Sequence, residues 1–245
     1  MEAYVLEWLN VLGRWFHLIA GIAWIGASFY FVWLDSHLRA PRYPDEAERL
    51  GIGGEVWALH GGGFYRAQKF AVAPPELPEP LHWFKWEAYT TWLSGMFMLG
   101  LIYYASAEVY LIDRSVADGW IVYGLLCRSP LGRREPILAA VMLVLCAFAA
   151  YALTQLYSGR GAYIHFGAML GTIMTANVFF VIMPGQREMV RARVEGRAPD
   201  PMHAARGKQR SVHNTYFTLP VLFTMISNHY ALFTNAKWNW LVLMA

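Results

Sequence analysis

Long apolar stretches alternate with polar connections along most of this chain. Each apolar run comes close to the ~20 residues that an α-helix needs to cross a bilayer. The clearest of these runs are Leu9–Leu34, Trp86–Tyr110, Ile137–Tyr157, Ala162–Met183 and Tyr216–Phe233. A further run begins at Trp238 and stops at Ala245, so we expect that the last helix is truncated. The pattern predicts an all-α, polytopic transmembrane helix bundle that forms one integral membrane domain over residues 1–245.

The polar connections predict which way the bundle is inserted. Residues 35–83 contain the Gly-rich segment Gly51–Arg66 and the Pro-rich segment Ala73–Pro80, so we expect a structured loop there rather than a linker. This loop and the loop Pro184–Asn214 hold most of the lysines and arginines, which predicts that both are cytoplasmic. The amino terminus would then lie outside.

This sidedness requires one more crossing between Asp113 and Arg128. The apolar stretch available there, Gly119–Cys127, is about half as long as a spanning helix. The sequence therefore predicts about seven spans, one of them incomplete near residues 118–119, where we expect that residues are missing.

Composition agrees with a membrane protein and narrows the chemistry. The chain is 57% hydrophobic and only 15% charged, and its net charge of +3 belongs to the loops, so no nucleic-acid partner is predicted. Its two cysteines, Cys127 and Cys146, form no C-x-x-C-H motif, so the chain encodes no covalently attached heme.

Three histidines on three predicted spans share the outer half of the bilayer. They are His17, His165 and His229, and Arg14 lies one turn outward of His17. Ionisable groups are costly in hydrocarbon, and helix bundles hold heme between imidazoles, so these histidines are candidate heme ligands and Arg14 a candidate partner of a heme propionate. The alternative is that each histidine is a hydrogen-bonded packing residue.

Further polar residues are candidate substrate contacts on either face. Gln155 and Arg160 could donate hydrogen bonds to a flat, anionic, carbonyl-rich ring, or they could contact another helix and lipid phosphate. His60 precedes three glycines that could expose N–H groups to an anion or form a flexible turn. Lys85 and Glu87 lie at the start of the second span, where a snorkelling anchor and its counter-charge are the alternative.

Several strings resemble the membrane domain of the bacterial membrane-bound cytochrome c urate oxidases. The resemblance covers nearly the whole chain and is carried by R-W-F-H-L-I-A-G-I-A-W-I-G, G-G-E-V-W-A-L-H-G-G-G-F-Y, W-F-K-W-E-A-Y, Y-L-I-D-R, L-C-R-S-P-L-G, T-Q-L-Y-S-G-R, T-A-N-V-F-F and K-Q-R-S-V-H-N-T-Y. The histidines in matching strings are His17, His60, His165, His213 and His229, joined by Glu87, Gln155, Arg160 and Asn177. His82 stands where that family has no histidine.

The resemblance implies oxidation of urate to hydroxyisourate with electrons passed to a cytochrome c, in the inner membrane of a bacterium. Heme b would sit between helices, with His17 and His165 as axial ligands. Glu87 and His229 are the candidate catalytic residues, and His229 is either a third candidate ligand or a proton acceptor. Gln155, Arg160, His60 and Lys85 are the candidate substrate contacts.

The chain departs from the family pattern because it lacks most of the third span, the last helix and the C-terminal cytochrome c domain. We therefore expect heme c on a separate or missing domain and a respiratory-chain component as a further candidate partner. The alternative functions are a non-catalytic heme b electron-transfer subunit and a purine transporter.

Overall fold

Helices dominate the computed structural model, which describes residues 2–104, 123–227 and 229–244. The long helices are α1 (Glu2–His37), α3 (Trp86–Leu99), α5 (Glu135–Leu156), α6 (Gly159–Asn177), α7 (Met183–Val194) and α8 (Pro201–Ser227). The short ones are α2 (Pro44–Leu50), α4 (123–128), α9 (Ala231–Thr234) and α10 (Asn239–Val242). The prediction of an all-α chain is confirmed for most of the described residues, and a two-stranded hairpin departs from it.

Helix boundaries follow local signals in the sequence. A proline and Glu135 occupy the first turn of α5, where a missing N–H costs nothing and a negative charge is favourable. The hydroxyl of Ser158 accepts the N–H of Gly161 and caps α6. Two helices then continue as π-helix, α3 through Gly100–Tyr104 and α6 through Val178–Ile182, a rare geometry that often occurs at functional sites.

Helix α6 is the centre of the bundle. It packs against α3, α5 and α8, and α1 packs against α3. The approach of α6 to α8 is close enough that a Cβ on Gly167 would overlap the hydroxyl of Thr224. On its other side α6 contributes Tyr163, Phe166 and Leu170 to a buried cluster with residues of α4, α5 and α10. These contacts fix α6 as one wall of the site described below.

Three of the described helices are long and apolar enough to cross a membrane: Tyr4–His37, Glu135–Leu156 and the continuous helix Gly159–Val194. The first two helices also carry apolar side chains on their exposed surface. Only 6% of the 18-residue apolar stretch of Tyr4–His37 is buried by protein. Large exposed side chains include Trp15, Phe16, Ile22, Leu143, Val144 and Phe148. Apolar surface of this extent is typical of helices that face lipid, so the chain is a membrane protein.

The connection after α1 folds into α2 and a β-hairpin. Strands β1 (Ile52–His60) and β2 (Gly63–Phe70) are antiparallel, with His60 opposite Gly63. Gly61 and Gly62, at φ 57° and 81°, form the two-residue turn between them, a conformation that side chains disfavour. The ammonium of Lys69 lies 2.5 Å from a carboxylate oxygen of Asp35 and ties the hairpin to the end of α1.

A buried carboxylate organises the base of this hairpin. Glu55 is only 2% exposed and accepts hydrogen bonds from the indole of Trp57 (3.0 Å), the backbone N–H of Arg42 (2.8 Å) and the guanidinium of Arg66 (2.7 Å). These donors, led by the Trp57 indole, lower the pKa of Glu55 to about 2. The carboxylate is therefore charged at neutral pH and holds the hairpin against the segment before α2.

The predicted cytoplasmic loop Pro184–Asn214 is mostly helical, so that part of the sequence prediction is wrong. Helix α7 continues to Val194 and α8 begins at Pro201. Hydropathy detects apolar runs, whereas these helical turns are polar and include ion pairs such as Glu188 with Arg191, three residues apart. The span predicted over Tyr216–Phe233 also ends early, because α8 ends at Ser227.

Two predicted features of the topology involve residues that the structure does not describe. The crossing expected near residues 118–119 and the end of the second span, Ala105–Tyr110, fall outside the described residues. The count of seven spans and the outside amino terminus stay predictions.

Candidate functional site

A cavity of about 780 Å³ lies between α1, α3, α6 and α8. This volume falls in the range of sites for drug-sized ligands and cofactors. Its walls are largely apolar, and the large side chains include Leu18, Trp24, Ile25, Trp92, Met96, Leu99, Ile164, Leu222 and Met225. Two separate groups of polar residues interrupt this lining, and they differ in charge.

The first group, the cationic end, consists of Arg14, His17, Arg160 and His229. Two of these residues belong to α1, Arg160 belongs to the first turn of α6, and His229 follows α8. Residues far apart in sequence therefore bring two guanidinium groups and two imidazoles to one cavity.

The second group, the hydroxyl end, consists of Ser28, Thr175 and Thr218. At a rise of ~1.5 Å per residue, Thr175 lies about 22 Å from Arg160 along α6, and Ser28 about 21 Å from Arg14 along α1. The hydroxyl of Thr175 is buried and has no hydrogen-bond partner among the described residues. An orphaned hydroxyl on a cavity wall is suited to bind a water molecule or a ligand.

His17 is oriented by Ser94. The hydroxyl of Ser94 donates to the carbonyl of Thr90 (2.7 Å), so its oxygen is free to accept the Nδ1–H of His17, 2.9 Å away. In this tautomer of the neutral imidazole the proton is on Nδ1 and the free lone pair is on Nε2. A metal ion could therefore bind at Nε2. Gly95 supports the ring, since a Cβ there would lie 3.0 Å from Cε1 of His17.

His165 does not line this cavity. It is fully buried and stacks on Tyr157, with ring centroids 4.4 Å apart and planes 6° from parallel. Its Nδ1 lies 2.7 Å from the carbonyl of Gly161. Of the three histidines predicted to cluster, the structure thus brings His17 and His229 to the cavity and places His165 in the neighbouring core.

The two arginines of the cationic end line the cavity, whereas Gln155 does not. Arg14 donates to the side chain of Asn10 (2.6 Å) one turn away, which steadies it at the cavity. Arg160 also lines the cavity, whereas Gln155 is exposed on α5 and does not. The predicted pair of Gln155 and Arg160 is therefore represented at this cavity by the arginine alone.

Glu87, Lys85 and His60 lie outside the lining. One oxygen of Glu87 lies 3.8 Å from Nε2 of His82, and the other is buried without a partner in the described part of the chain. The carbonyl of Glu87 accepts the hydroxyl of Thr91, which does line the cavity, so this carboxylate sits one turn away. Lys85 packs over Trp86, as expected of a snorkelling lysine, and His60 is exposed at the hairpin tip.

Sequence reasoning missed a polar network beside the hydroxyl end. It consists of Tyr123, Glu135, Asn177, His213 and Asn214, contributed by α4, α5, α6 and α8. Asparagine inside the apolar helix α6 was the available signal, because a buried carboxamide needs partners. The partners of Asn177 are Tyr123 and Asn214, which could not be found from the sequence because they come from two other helices.

The residues at the cationic end fit a heme. The donor set comprises two imidazoles, one of them with its ligating nitrogen prepared by Ser94, together with two cations of the charge that propionates require. Gly21 and Gly171 line the same cavity, and a Cβ on either would meet no atom within 4 Å, so the cavity is open beside both helices. A bare metal ion has less support, because the described residues hold no group of three or more His, Cys, Asp or Glu.

Comparison with known families places this chain. Residues 3–245 match the family model described as urate oxidase N-terminal. Searches of curated proteins and of solved structures found no match to the chain. The family match covers nearly all of the sequence and supports a urate-related function. On that evidence the chain belongs to the urate oxidase N-terminal family.

Proposed function

We propose that this protein oxidises urate to hydroxyisourate and passes the electrons through heme b to a cytochrome c. Family membership supports urate as the substrate. The observation that carries the rest is the cationic end of the cavity, where His17, His229, Arg14 and Arg160 converge inside a largely apolar helix bundle. Costly ionisable groups gathered at one place among membrane helices indicate a functional site.

His17 and His229 are the residues that would hold the heme. Nε2 of His17 would be the ligating atom, because Nδ1 lies 2.9 Å from the hydroxyl of Ser94. Arg14 and Arg160 supply positive charge for the propionates, and Gly21 and Gly171 leave room for the macrocycle. When bound, heme b would supply a redox centre that accepts and passes on one electron at a time.

Urate fits the charge of this site. At neutral pH it is a planar monoanion, and its conversion with one water to neutral hydroxyisourate releases one proton and two electrons. The site must therefore bind an anion and remove a proton. Arg160 is the best placed of the predicted substrate contacts, since it alone of Arg160, Gln155, His60 and Lys85 lines the cavity.

Glu87 is proposed as a base near the cavity. Its buried oxygen, which has no hydrogen-bond partner among the described residues, can accept a proton. The backbone carbonyl of Glu87 accepts the hydroxyl of Thr91, a lining residue, so the carboxylate lies one helical turn from the cavity wall. His229 could serve as proton acceptor only if it does not bind iron, so its two predicted roles exclude one another.

The electron acceptor and the location complete the proposal. Two one-electron transfers are needed for each urate, which suits a cytochrome c whose heme c lies on a separate protein or a further domain. Helices able to cross a membrane support a bilayer location. We place the protein in the bacterial inner membrane. A component of the respiratory chain there would receive the electrons from cytochrome c.

The direct test is anaerobic turnover by the purified protein in lipid nanodiscs, with urate and oxidised cytochrome c. We expect two cytochrome c molecules to be reduced for each urate consumed. The variant His37→Ala is the control, because His37 lies at the end of α1 outside the cavity. Heme-loaded protein that leaves urate unchanged would instead favour the electron-transfer subunit, and urate flux into vesicles without oxidation would favour the transporter.

A further inference from the structure

The polar network begins directly behind the wall of the cavity. Asn214 donates from its carboxamide to the carbonyl of Met174 (3.0 Å), and Met174 lines the cavity. Thr218, also a lining residue, donates its hydroxyl to the carbonyl of Asn214 (2.9 Å). Asn177 then donates to Oδ1 of Asn214 (2.8 Å) and to the phenol oxygen of Tyr123 (3.1 Å). The two carboxamides thus hold the phenol next to the hydroxyl end.

From Tyr123 a chain of groups that can exchange protons leads outward. The phenol lies 2.8 Å from Nδ1 of His213, and Nε2 of the same ring lies 3.1 Å from Oε2 of Glu135. One tautomer satisfies both contacts: Tyr123 donates to Nδ1, and the Nε2–H donates to the carboxylate. The direction of donation therefore runs without a break from the phenol to Glu135.

Exposure rises along this chain. Tyr123 is 1% exposed, the side chain of His213 is 11% exposed, and that of Glu135 is 59% exposed. The carboxylate is held by Gln209, which donates to its other oxygen (2.6 Å). A chain that starts in the core and ends at a solvated acid has the geometry of a path for protons.

The remaining polar neighbours of the phenol are Arg210 and Cys127. The guanidinium of Arg210 is 4.9 Å from the centre of the Tyr123 ring, and Arg210 is only 4% exposed. Its positive charge disfavours an additional proton at the phenol and so favours passing that proton on. On the cavity side, the hydroxyl of Thr175 has no hydrogen-bond partner among the described residues and can bind the water that would link the cavity to the network.

We propose that Tyr123, His213 and Glu135 form the exit path for the proton released when urate is oxidised. The inference rests on the proposed function and adds the route by which the released proton reaches solvent. A proton reaches the phenol oxygen from water beside Thr175 as the phenol O–H passes its own proton to Nδ1 of His213. The Nε2–H then moves to Glu135, and the carboxylic acid releases it to solvent.

Charge and atoms balance along this route. Each oxidation of the urate monoanion by two one-electron acceptors of the cytochrome c class yields one proton, and one proton leaves Glu135. After rotation of the phenol O–H and return of the imidazole to its starting tautomer, every member of the path is restored. Asn177 and Asn214 carry no proton and act as positioning residues for the phenol.

The test compares Tyr123→Phe with Tyr216→Phe in urate-dependent reduction of cytochrome c. Tyr216 is exposed on the same helix as His213 and serves as the matched control. We expect Tyr123→Phe to lower kcat by about 10-fold or more at unchanged KM for urate, and to raise the solvent hydrogen isotope effect. Glu135→Gln should slow turnover in the same way, and added imidazole should restore part of the rate lost in His213→Ala.

The possible outcomes are distinct. Wild-type rates and isotope effects in both Tyr123→Phe and Glu135→Gln would overturn the path, even if His213→Ala failed to fold. A slower Tyr123→Phe enzyme with an unchanged isotope effect and no rescue of His213→Ala by imidazole would show a structural role and overturn it too. If the wild-type protein does not reduce cytochrome c with urate, the proposed function fails and the path fails with it.

Discussion

The two ends of the cavity both draw their polar residues from α1, α6 and α8 or the segment directly after α8, yet they offer different chemistry. The cationic end gathers two arginines and two histidines, whereas the hydroxyl end presents only neutral groups and is backed by the carboxamides of Asn177 and Asn214. The guanidinium groups of the cationic end suit an anion or a propionate, and its imidazoles suit iron, but guanidinium groups do not relay protons. Neutral hydroxyl, phenol and imidazole groups do. The contrast suggests that electrons and protons leave this site by different ends.

The largest effect is expected when the histidines are replaced one at a time, which tests whether the cationic end holds the heme. We expect His17→Ala and His229→Ala to lose the heme absorbance and to lower urate-dependent cytochrome c reduction at least ~100-fold, because each removes a proposed heme ligand. His165→Ala should keep the heme, since that ring stacks on Tyr157 outside the cavity. The measurement is the heme-to-protein ratio after purification.

The opposite pattern would contradict this assignment. Loss of heme in His165→Ala together with retention in His229→Ala would restore the pairing of His17 with His165 that the sequence predicts. His37→Ala serves again as the control for changing an exposed histidine on α1.

A smaller effect is expected when the support of His17 is disturbed. In Gly95→Ala the new methyl would lie 3.0 Å from Cε1 of His17, so the ring must shift by a few tenths of an ångström. We expect heme affinity to fall about 10-fold, as is typical when a supporting contact of a ligand is changed. Heme titration of the apoprotein measures it.

Gly207→Ala is the matched control for that substitution. A Cβ on Gly207 would meet no atom within 4 Å, and the residue lies in α8 outside the cavity lining. Equal heme affinity in Gly95→Ala and wild type would show that the ring of His17 does not depend on this packing.

The smallest expected effect is on the stability of the β1–β2 hairpin, which lies outside both ends of the cavity. The pKa of Glu55 is about 2 in the folded protein against an ordinary value of 4.5, so its charged form stabilises the fold above pH 4.5. This stabilisation is lost as the pH falls from 4.5 towards 2, because the unfolded state takes up a proton at this carboxylate in that range while the folded state does not. We expect the amides of β1 and β2 to exchange hydrogen faster in that window, after correction for intrinsic rates.

Glu55→Gln should remove this acid sensitivity, and Glu76→Gln, in the exposed segment after β2, should retain it. The cationic end should keep its heme through the opening of the hairpin if function resides in the bundle. Simultaneous loss of heme and hairpin protection in acid would show that the two regions are coupled.

Hydropathy predicted the apolar helices well and the polar ones poorly. The runs that begin at Leu9, Ile137 and Ala162 are confirmed as α1, α5 and α6, because their apolar length alone determines them. Helix α7 and the first half of α8 are rich in arginine and were expected to be loop. Their helicity depends on side-chain pairs and on packing against neighbouring helices, which a count of apolar residues does not detect.

The candidate site divides in the same way. Charged residues within apolar runs are conspicuous, so Arg14, His17 and His229 could be predicted from depth in the membrane. His165 shares that depth, but the rotation of α6 turns it towards Tyr157, and rotation could not be derived without knowing which helices are neighbours. Tyr123 and Asn214 gave no comparable signal, since neutral polar residues are common in and around membrane helices.

The most direct test of the account is the visible spectrum of the purified protein, recorded without oxygen before and after addition of urate. The account predicts a heme absorbance at about one heme b per chain that urate alone converts to the reduced form. It also predicts that this absorbance is absent from His17→Ala and His229→Ala. Protein that consumes urate and reduces cytochrome c while showing no heme absorbance would contradict the central claim.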